Sequence, residues 1–275
     1  LELQKIKKSF SGVPALKGVS LKIQSGKVHA LLGENGAGKS TLIKILSGVY
    51  QKDEGQIEID GLPVSIHSTA DSRKLGISVI YQEFALVPEL SIVQNIFLGK
   101  ELRKGGIFLA MREMAQSTRK VVERLHFQYD VNKKVRNLSV SQQQMVEIAK
   151  AFSSNSWLVV MDEPTSAITE ADKEKLFQII REMKKQGLAV VYISHRMSEI
   201  FEIADEVTVL RDGEQVKTLP ICETDENELT KLMVGREVKD IFNREHLEPG
   251  KVVLEVKNLK RNGVFEPISF QVRQG

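Results

Sequence analysis

The stretch VHALLGENGAGKSTLIKILSG, residues 28–48, decides the fold class. It starts with a short apolar run, continues through a glycine-rich loop, and ends in KSTLIKILSG, whose apolar residues recur at helical spacing. The loop fits the pattern G-x-x-x-x-G-K-[ST] at Gly33, Gly38, Lys39 and Ser40. A strand that feeds such a loop, followed by a helix, predicts a phosphate-binding loop in an α/β domain.

Each residue type in this loop suits a bound polyphosphate. The glycines allow the backbone to curl so that successive N–H groups point at phosphate oxygens. Lys39 would bring a positive charge to the β and γ phosphates, and Ser40 would offer its hydroxyl to Mg²⁺. The following helix adds the positive end of its dipole. A glycine-rich turn with a surface lysine is the alternative, and the flanking strand and helix argue against it.

The rest of the chain alternates buried strands with helices. WLVVMDE (157–163) and LAVVYISH (188–195) are typical of buried strands, and KEKLFQIIREMKKQG (173–187) of a helix between them. This alternation predicts a parallel sheet covered on both faces. The segment 88–153, which includes QNIFLGKEL at 94–102, has helical periodicity instead. We interpret it as an inserted helical subdomain.

Two acidic residues end one of these predicted strands. Asp162 and Glu163 follow the apolar run LVVM. Because the carboxyl ends of parallel strands share one edge of a sheet, this pair should lie beside the phosphate loop. There Asp162 would hold Mg²⁺ through a water, and Glu163 would polarise the water that attacks the γ phosphate.

Three further residues carry weaker signals. The amide oxygen of Gln82, after the strand VIY, would contact Mg²⁺ or the attacking water. His195 would hydrogen-bond the γ phosphate and respond to its loss. Phe10 offers a flat apolar face for stacking on adenine. A structural role stays open for His195 and Phe10, because a lone histidine or phenylalanine more often belongs to the packing of the domain.

Charge and cysteine content narrow the class of protein. The 275 residues carry a formal net charge of +3 from well-mixed charged residues, which argues against a dedicated nucleic-acid surface. No apolar run is long enough to predict a membrane span. The one cysteine, Cys222, excludes a disulfide within this chain and is typical of a reducing cytosol.

A second candidate anion site lies at NLSVSQQQMVEIAKA, residues 137–151. A serine-led polar cluster runs directly into an amphipathic helix, and the N-terminus of such a helix suits an anion. The sequence therefore predicts two phosphate-binding devices in one chain.

The chain also contains an internal repeat. LELQKIKK at 1–8 resembles LEVKNLKR at 254–261, and VSLKIQSG at 19–26 resembles ISFQVRQG at 268–275. In the first copy the phosphate loop follows shortly afterwards, so we expect the natural protein to continue into a second domain of the same kind. The predicted divisions are a first domain at 1–235, a linker at 236–251 and a truncated start of the second domain at 252–275.

Taken in order, GENGAGKST, YQE, LSVSQ, LVVMDEPTSAI and SH resemble the motifs of the ATP-binding-cassette ATPases over residues 1–235. The resemblance implies a RecA-like α/β P-loop core with a mostly parallel sheet, a small antiparallel β subdomain and a helical subdomain inserted at about 88–153. It also implies hydrolysis of ATP with Mg²⁺.

A finer resemblance indicates one subgroup of this family. FALVPELSIVQNIFLG and LSVSQQQMVEIAKAF are similar to the first nucleotide-binding domain of double-domain ATPases that power bacterial importers of ribose, galactose, xylose or arabinose. This implies an integral-membrane sugar permease as partner, and a second cassette in the same chain or in a dimer partner. It also implies an indirect link to a periplasmic or extracellular sugar-binding protein, no nucleic-acid partner, and a location at the cytoplasmic face of the membrane.

The resemblance assigns roles to individual residues. Glu163 is implied as the catalytic base, His195 as a switch that senses the γ phosphate, and Phe10 as the adenine-stacking aromatic. Ser40 and Gln82 are implied as Mg²⁺ ligands. The residues implied in phosphate binding are Gly33, Asn35, Gly36, Ala37, Gly38, Lys39, Ser40 and Thr41.

Residues 138–142 match the family signature, which closes over nucleotide held by another cassette docked head to tail. Ser139 and Gln142 are thus expected to contact the partner domain's nucleotide, so the two phosphate devices would serve two different composite sites. The family prefers glycine at the position of Ser141. If that position needs a positive φ, serine costs roughly 1 kcal/mol or more, and we expect a weakened signature.

Three alternatives remain at this point, and Glu163 argues against one of them, a purely structural nucleotide-binding module. A soluble cassette ATPase of translation or DNA repair would share the motifs, although translation-type cassettes usually have a longer charged linker. A P-loop kinase acting on a small molecule would explain GENGAGKST, but it would explain neither LSVSQ nor the repeat.

Overall fold

The computed structural model describes residues 1–105, 107–125, 127, 129–154, 156–166, 168–235 and 250–274. Contacts between Cα atoms divide the chain into two compact units, Leu1–Gly235 and Arg236–Gly275. Most of the linker predicted at 236–251 lies outside the described residues. Among the helices in the described ranges, none has the length and hydrophobicity needed to cross a bilayer.

Fourteen strands and eight helices are described. The strands are β1 (Glu2–Phe10), β2 (Val13–Lys22), β3 (Val28–Leu32), β4 (Glu54–Ile59), β5 (Leu62–Val64), β6 (Ile77–Ile80), β7 (Arg103–Lys104), β8 (Phe108–Leu109), β9 (Leu158–Asp162), β10 (Ala189–Ile193), β11 (Glu206–Arg211), β12 (Glu214–Pro220), β13 (Val252–Arg261) and β14 (Phe265–Arg273). The helices are α1 (Lys39–Leu46), α2 (Thr69–Lys74), α3 (Ile92–Phe97), α4 (Met111–Arg124), α5 (Val140–Phe152), α6 (Glu170–Lys185), α7 (Met197–Ile203) and α8 (Glu226–Val234).

The first unit is built on a six-stranded sheet in the order β12-β11-β3-β10-β9-β6. The five strands from β11 to β6 pair in parallel, and β12 is an antiparallel edge strand. Strands β3 and β10 are buried along their whole length. Ala30 and Tyr192 belong to one apolar cluster and Leu31 and Val191 to the other, so successive side chains fill two cores on opposite faces. The predicted mostly parallel sheet is confirmed.

A second, antiparallel sheet in the first unit has the order β2-β1-β4-β5. Its inner side chains, such as Leu3, Ile6 and Val19, are buried with those of α1 in one of the two apolar cores. This sheet is the small antiparallel part expected of the fold, and through β2 it contacts the helix that follows the phosphate loop.

Helices α3, α4 and α5 pack against one another in the segment between β6 and β9. The helical periodicity of residues 94–102 predicts a longer α3 than the structure contains. Helix α3 ends at Phe97 because Leu98 leaves the helical region, with ψ 120°, and Gly99 has φ +76°. The chain then forms the two-stranded hairpin β7–β8 before α4, so this part of the prediction is wrong.

The second unit contains the antiparallel hairpin β13–β14, which has the same irregularity as β1–β2. Asn258 has φ +50° and its backbone N–H donates to Ser269 Oγ at 2.9 Å. In the first hairpin, Lys5 has φ +51° and its N–H donates to Ser20 Oγ at 3.0 Å. The two segments that resemble each other in sequence therefore also share a backbone kink and the serine that caps it.

Two buried threonines differ in how their hydroxyls are bonded. Thr118 of α4 is fully buried, and among the described residues its Oγ1 has no hydrogen-bond partner. Thr208 of β11 is also fully buried, but its hydroxyl lies 2.8 Å from His29 Nε2 and 2.7 Å from Thr218 Oγ1. A buried hydroxyl without a partner destabilises a fold, whereas a bonded one does not.

We predict that Thr118→Val raises the free energy of unfolding by about 1 kcal/mol, because it removes the unbonded hydroxyl and keeps the shape. The matched change Thr208→Val should lower that free energy by about 1–3 kcal/mol, since it leaves the buried Nε2 of His29 without a hydrogen-bond partner. Urea unfolding of both variants and the parent measures the difference. A loss of stability in Thr118→Val would contradict the prediction.

Candidate active site

The phosphate loop joins β3 to α1 and folds around the side chain of Lys39. The Lys39 ammonium donates hydrogen bonds to the carbonyl oxygens of Gly33 at 2.6 Å and Glu34 at 3.0 Å. Burial lowers the pKa of Lys39, and the charges of Glu163 and Asp162 oppose that shift. The ammonium therefore lies inside the loop and within electrostatic reach of both carboxylates.

Gly38 sets the direction of the loop as it enters α1. Its φ of +103° lies in a region that L side chains rarely adopt. A Cβ at this position would lie 2.7 Å from Leu16 Cδ2 and 2.9 Å from the Ala15 carbonyl oxygen. Gly38 is the N-cap residue of α1 and has no side chain that could accept hydrogen bonds from the first turn. The first-turn N–H groups therefore stay available for an anion.

The other predicted phosphate-binding residues differ in exposure. Asn35, Gly36 and Ser40 are exposed, and Thr41 is half-buried. Ala37 is buried and its side chain belongs to the apolar core, so only its backbone can face a ligand. The structure therefore keeps one side of the loop open to solvent and anchors the other in the core.

Three predicted site residues meet at the carboxyl edge of the sheet. Glu163 Oε2 accepts a hydrogen bond from Gln82 Nε2 at 3.2 Å, and Glu163 Oε1 lies 3.1 Å from His195 Nδ1. Gln82 follows β6, Glu163 follows β9 and His195 follows β10. The parallel strand order thus brings together side chains that are distant in sequence.

The backbone of Glu163 is in the left-handed region, with φ +48°. This conformation is uncommon for a residue with a Cβ and is found at functional turns. The Glu163 N–H donates to the carbonyl oxygen of Ile193 at 2.9 Å, which holds the turn against β10.

Asp162, one residue earlier, is half-buried. Burial and the charge of Glu163 raise the pKa of Asp162, and Lys39 and Lys44 oppose that rise. The carboxylates of Asp162 and Glu163 therefore repel each other, and both are attracted by the ammonium of Lys39.

The signature segment forms the start of α5. Ser139 is the N-cap residue, its Oγ accepts from the backbone N–H of Gln142 at 3.3 Å, and Gln142 Oε1 accepts from the Ser139 N–H at 3.0 Å. This reciprocal capping box fixes both side chains at the helix start. Within the described part of the chain, no hydrogen bond joins either residue to the phosphate loop of the same chain.

Ser141 does not meet the condition, a positive φ, on which its strain was predicted. Ser141 lies within α5 and is absent from the described non-glycine residues with positive φ. A serine in the first turn of a helix carries no left-handed strain. The predicted cost therefore does not arise, and left-handed strain gives no reason to expect a weakened signature.

Phe10, the predicted adenine-stacking residue, keeps an open face. Its ring is 39% exposed and packs edge-on against Tyr50, with the ring centroids 5.0 Å apart. Lys8 Nζ lies 5.6 Å from the centre of the Phe10 ring. The sequence alone did not identify Tyr50. Its only sequence signal is that it is an aromatic residue two positions after Gly48, which follows α1.

Comparison with known families decides which class of P-loop protein carries this site. The ABC transporter family model matches residues 16–166, more than half of the 275. The chain belongs to the ABC transporter family.

Relatives of this ABC cassette agree with that assignment. It is 48% identical, over 275 residues and its whole length, to 55% of a ribose import ATP-binding protein of Rubrobacter xylanophilus. It thus spans about half the length of the curated relatives it matches.

Two solved structures share the fold. A nucleotide-free ATP-binding cassette from an ABC transporter matches with a TM-score of 0.74 and 24% identity, over 88% of this chain and 96% of that one. A dimeric cassette bound to ADP and phosphate matches with a TM-score of 0.70 and 25% identity, over 80% of this chain and 98% of that one.

A cleft of about 450 Å³ has Tyr81 and Ala85 in its wall, on either side of Gln82 in sequence. Lys100 lines this cleft and donates to Ser153 Oγ at 2.8 Å and Ser154 Oγ at 3.1 Å.

The charges in this cleft are mainly positive. Burial, together with the charges of Lys150 and Arg73, lowers the pKa of Lys100 to about 8. Glu147 also lines the cleft, where its carboxylate accepts from the Ala85 N–H at 2.6 Å. Sequence reasoning missed this cleft because its residues are scattered along the chain and have no common motif.

Proposed function

We propose that this cassette hydrolyses ATP to power the import of a simple sugar through a membrane permease. The observation that carries the hydrolysis is the position of the Glu163 carboxylate, which is held between Gln82 and His195 beside the phosphate loop. A carboxylate oriented from both sides suits the general base that activates water for attack on a γ phosphate.

In this proposal the chain's own residues divide the reaction among them. Lys39 stabilises negative charge on the phosphates, and the N–H groups of the loop and of α1 orient them. Glu163 takes a proton from the attacking water. His195, bonded to Glu163 through Nδ1, hydrogen-bonds the γ phosphate and reports its departure.

The residues at this edge fit a magnesium ion. Ser40, Gln82 and Asp162 supply a hydroxyl, an amide oxygen and a carboxylate, all of them oxygen ligands of the kind that Mg²⁺ prefers. Burial and the neighbouring charge of Glu163 raise the pKa of Asp162, and a cation bound there would oppose that rise. When bound with ATP, the ion would neutralise phosphate charge.

The sugar-import role is supported by the named relatives, which are ribose import and putative ribose or galactose import ATP-binding proteins. We infer the same class of cargo here, and a position at the cytoplasmic face of the membrane. The names of these relatives give no support to the translation, DNA-repair or small-molecule kinase alternatives.

We further propose that residues 252–275 begin a second cassette and that nucleotide is enclosed between two cassettes. Support comes from the backbone kink common to Lys5 and Asn258, and from the exposure of Ile268 and Phe270, whose counterparts Val19 and Leu21 are buried in a core. Ser139 and Gln142 would then contact nucleotide held by the other cassette. The dimeric relative bound to ADP and phosphate is consistent with such a pairing.

The reading frame of the gene tests the second cassette. A second G-x-x-x-x-G-K-[ST] motif is expected about as far after Gly275 as Gly33 lies after Gly26. A reading frame without one would refute the inference of a second cassette and leave the ATP site unaffected.

The proposed docking site of the permease is the cationic cleft beside Gln82. It lies between elements of the sheet core, α2 and β6, and elements of the helical segment, α3 and α5. An occupant would therefore contact both parts of the cassette and the strand that leads to the catalytic edge. Lys100, Arg73 and Lys150 favour a partner segment that carries a carboxylate.

We predict that Glu163→Gln lowers ATP turnover by the full-length protein about 100-fold or more, because glutamine cannot take the proton from water. Nucleotide affinity should change by less than about threefold, since Lys39 and the loop are untouched. Glu170→Gln is the control, because Glu170 is an exposed carboxylate on α6. Phosphate release and equilibrium binding measure the two effects. Retained turnover in Glu163→Gln would refute the assigned base.

We predict that Lys100→Glu weakens association with the detergent-solubilised permease about tenfold or more. The new glutamate would repel the carboxylate that the partner segment is proposed to bring into the cleft. Nucleotide affinity should stay unchanged. The control Lys104→Glu reverses a charge on an exposed lysine of the β7–β8 hairpin, and its association should match that of the parent. Equal association of Lys100→Glu and the parent would remove the cleft as the docking site.

A further inference from the structure

A buried carboxylate outside the predicted site connects the segments that carry the site. Glu199 of α7 is 1% exposed. Its Oε2 accepts three hydrogen bonds, from Thr165 Oγ1 at 2.9 Å, Tyr192 OH at 2.9 Å and Ser194 Oγ at 2.7 Å. Its Oε1 lies 3.4 Å from Arg196 Nη1.

The partners of Glu199 lie next to the catalytic residues in sequence. Thr165 is two residues after Glu163, and Ser194 and Arg196 flank His195 on either side. Ser194 Oγ also accepts from the backbone N–H of Arg196 at 3.1 Å. Through these bonds one side chain holds both the turn that carries the catalytic base and the turn that carries the histidine.

The chemistry of this cluster favours a fixed geometry. A carboxylate excluded from water is costly unless it is fully bonded, and bonds to a charged acceptor are shorter and stronger than neutral ones. Burial and the charge of Glu199 raise the pKa of the Tyr192 phenol, so its hydroxyl keeps its proton and remains a donor. Movement of either turn would break bonds that water cannot replace.

We propose that Glu199 is a positioning residue for ATP hydrolysis, which keeps His195 Nδ1 at 3.1 Å from Glu163 Oε1 by bracing both turns. Glu199 itself does not touch the reacting atoms. This inference rests on the hydrolysis proposed above, but the geometry it describes can be measured without turnover.

Glu199→Ala removes the brace and is expected to lower kcat about 10- to 100-fold, because displacements of about 1 Å at a catalytic pair have effects of this size. The KM for MgATP and the equilibrium affinity for nucleotide should change by less than about threefold, since the phosphate loop is untouched.

Glu199→Gln should give an intermediate kcat. Its side-chain oxygen can still accept from the hydroxyls, but its amide NH₂ then faces the Arg196 guanidinium, and two donors cannot bond each other. The control is Glu202→Ala on the same helix, because Glu202 is a partly exposed carboxylate paired with Arg181 at 2.8 Å. Its kcat should stay within about twofold of the parent's.

A second measurement separates positioning from general stability. The ¹⁵N resonances of the His195 imidazole, assigned with the His195→Asn variant, should shift in Glu199→Ala and remain unchanged in Glu202→Ala. Melting temperatures of all variants identify any loss of folded protein. If Glu199→Ala does not fold, Tyr192→Phe and Thr165→Val each remove one donor at nearly constant volume, and the same two measurements apply to them.

A parent-like kcat together with unchanged His195 resonances in the folded variants would overturn the inference. A parent protein without ATP turnover would refute the proposed function instead. In that case the His195 resonances alone test whether Glu199 positions His195. A shift of these resonances in Glu199→Ala supports that role, and no shift overturns it.

Discussion

Parallel pairing of the central strands is the constraint on which the site depends. Asp162 of β9 pairs with Ile193 of β10, and Ile193 pairs with Leu31 of β3. Because the three strands end in register, the phosphate loop, Glu163 and His195 leave the sheet at one edge. A shift of one residue in any strand would exchange its two faces and move Asp162 away from the loop. Such a shift in β10 would move Tyr192 and Val191 into each other's cores, where their sizes do not match, and Tyr192 would lose its bond to Glu199.

The charges at this edge are arranged around one ammonium. Lys39 is partly buried, donates hydrogen bonds to two loop carbonyls and is attracted by two adjacent carboxylates. Burial favours the neutral forms of Lys39 and of Asp162, whereas their mutual attraction favours the charged forms. Bringing a phosphate and a cation together into this group would satisfy both sets of charges. The protein thus meets its ligand with charges already in position rather than with groups that must be rearranged.

The sequence predicts those parts of the structure that depend on short segments. The phosphate loop lies within residues 33–41, and the strand-end residues are visible because each follows an apolar run. What it does not predict comes from contacts between distant residues. Glu199 joins Thr165 across 34 positions, and Lys100 joins Ser153 across 53, with no local pattern to mark either pair. The predicted length of α3 was wrong, and the condition for strain at Ser141 was not met, for another reason. Periodicity and family preference do not give φ and ψ at single residues, which decide both features.

The two predicted phosphate-binding helix starts of this chain, those of α1 and α5, have different neighbours. The start of α1 has Lys39 and, across the sheet edge, a pair of carboxylates. The start of α5 has a capping box that satisfies two backbone N–H groups through Ser139 and Gln142, and the remaining first-turn N–H groups have no partner within the helix. Val140, beside them, is 49% exposed, so this helix start faces solvent. Within the described residues, no catalytic group is bonded to this helix start, although it can bind an anion. It could therefore act on a nucleotide only if another molecule or domain brought the nucleotide to it. That is the physical basis of the proposal that the signature forms half of a site completed by another cassette.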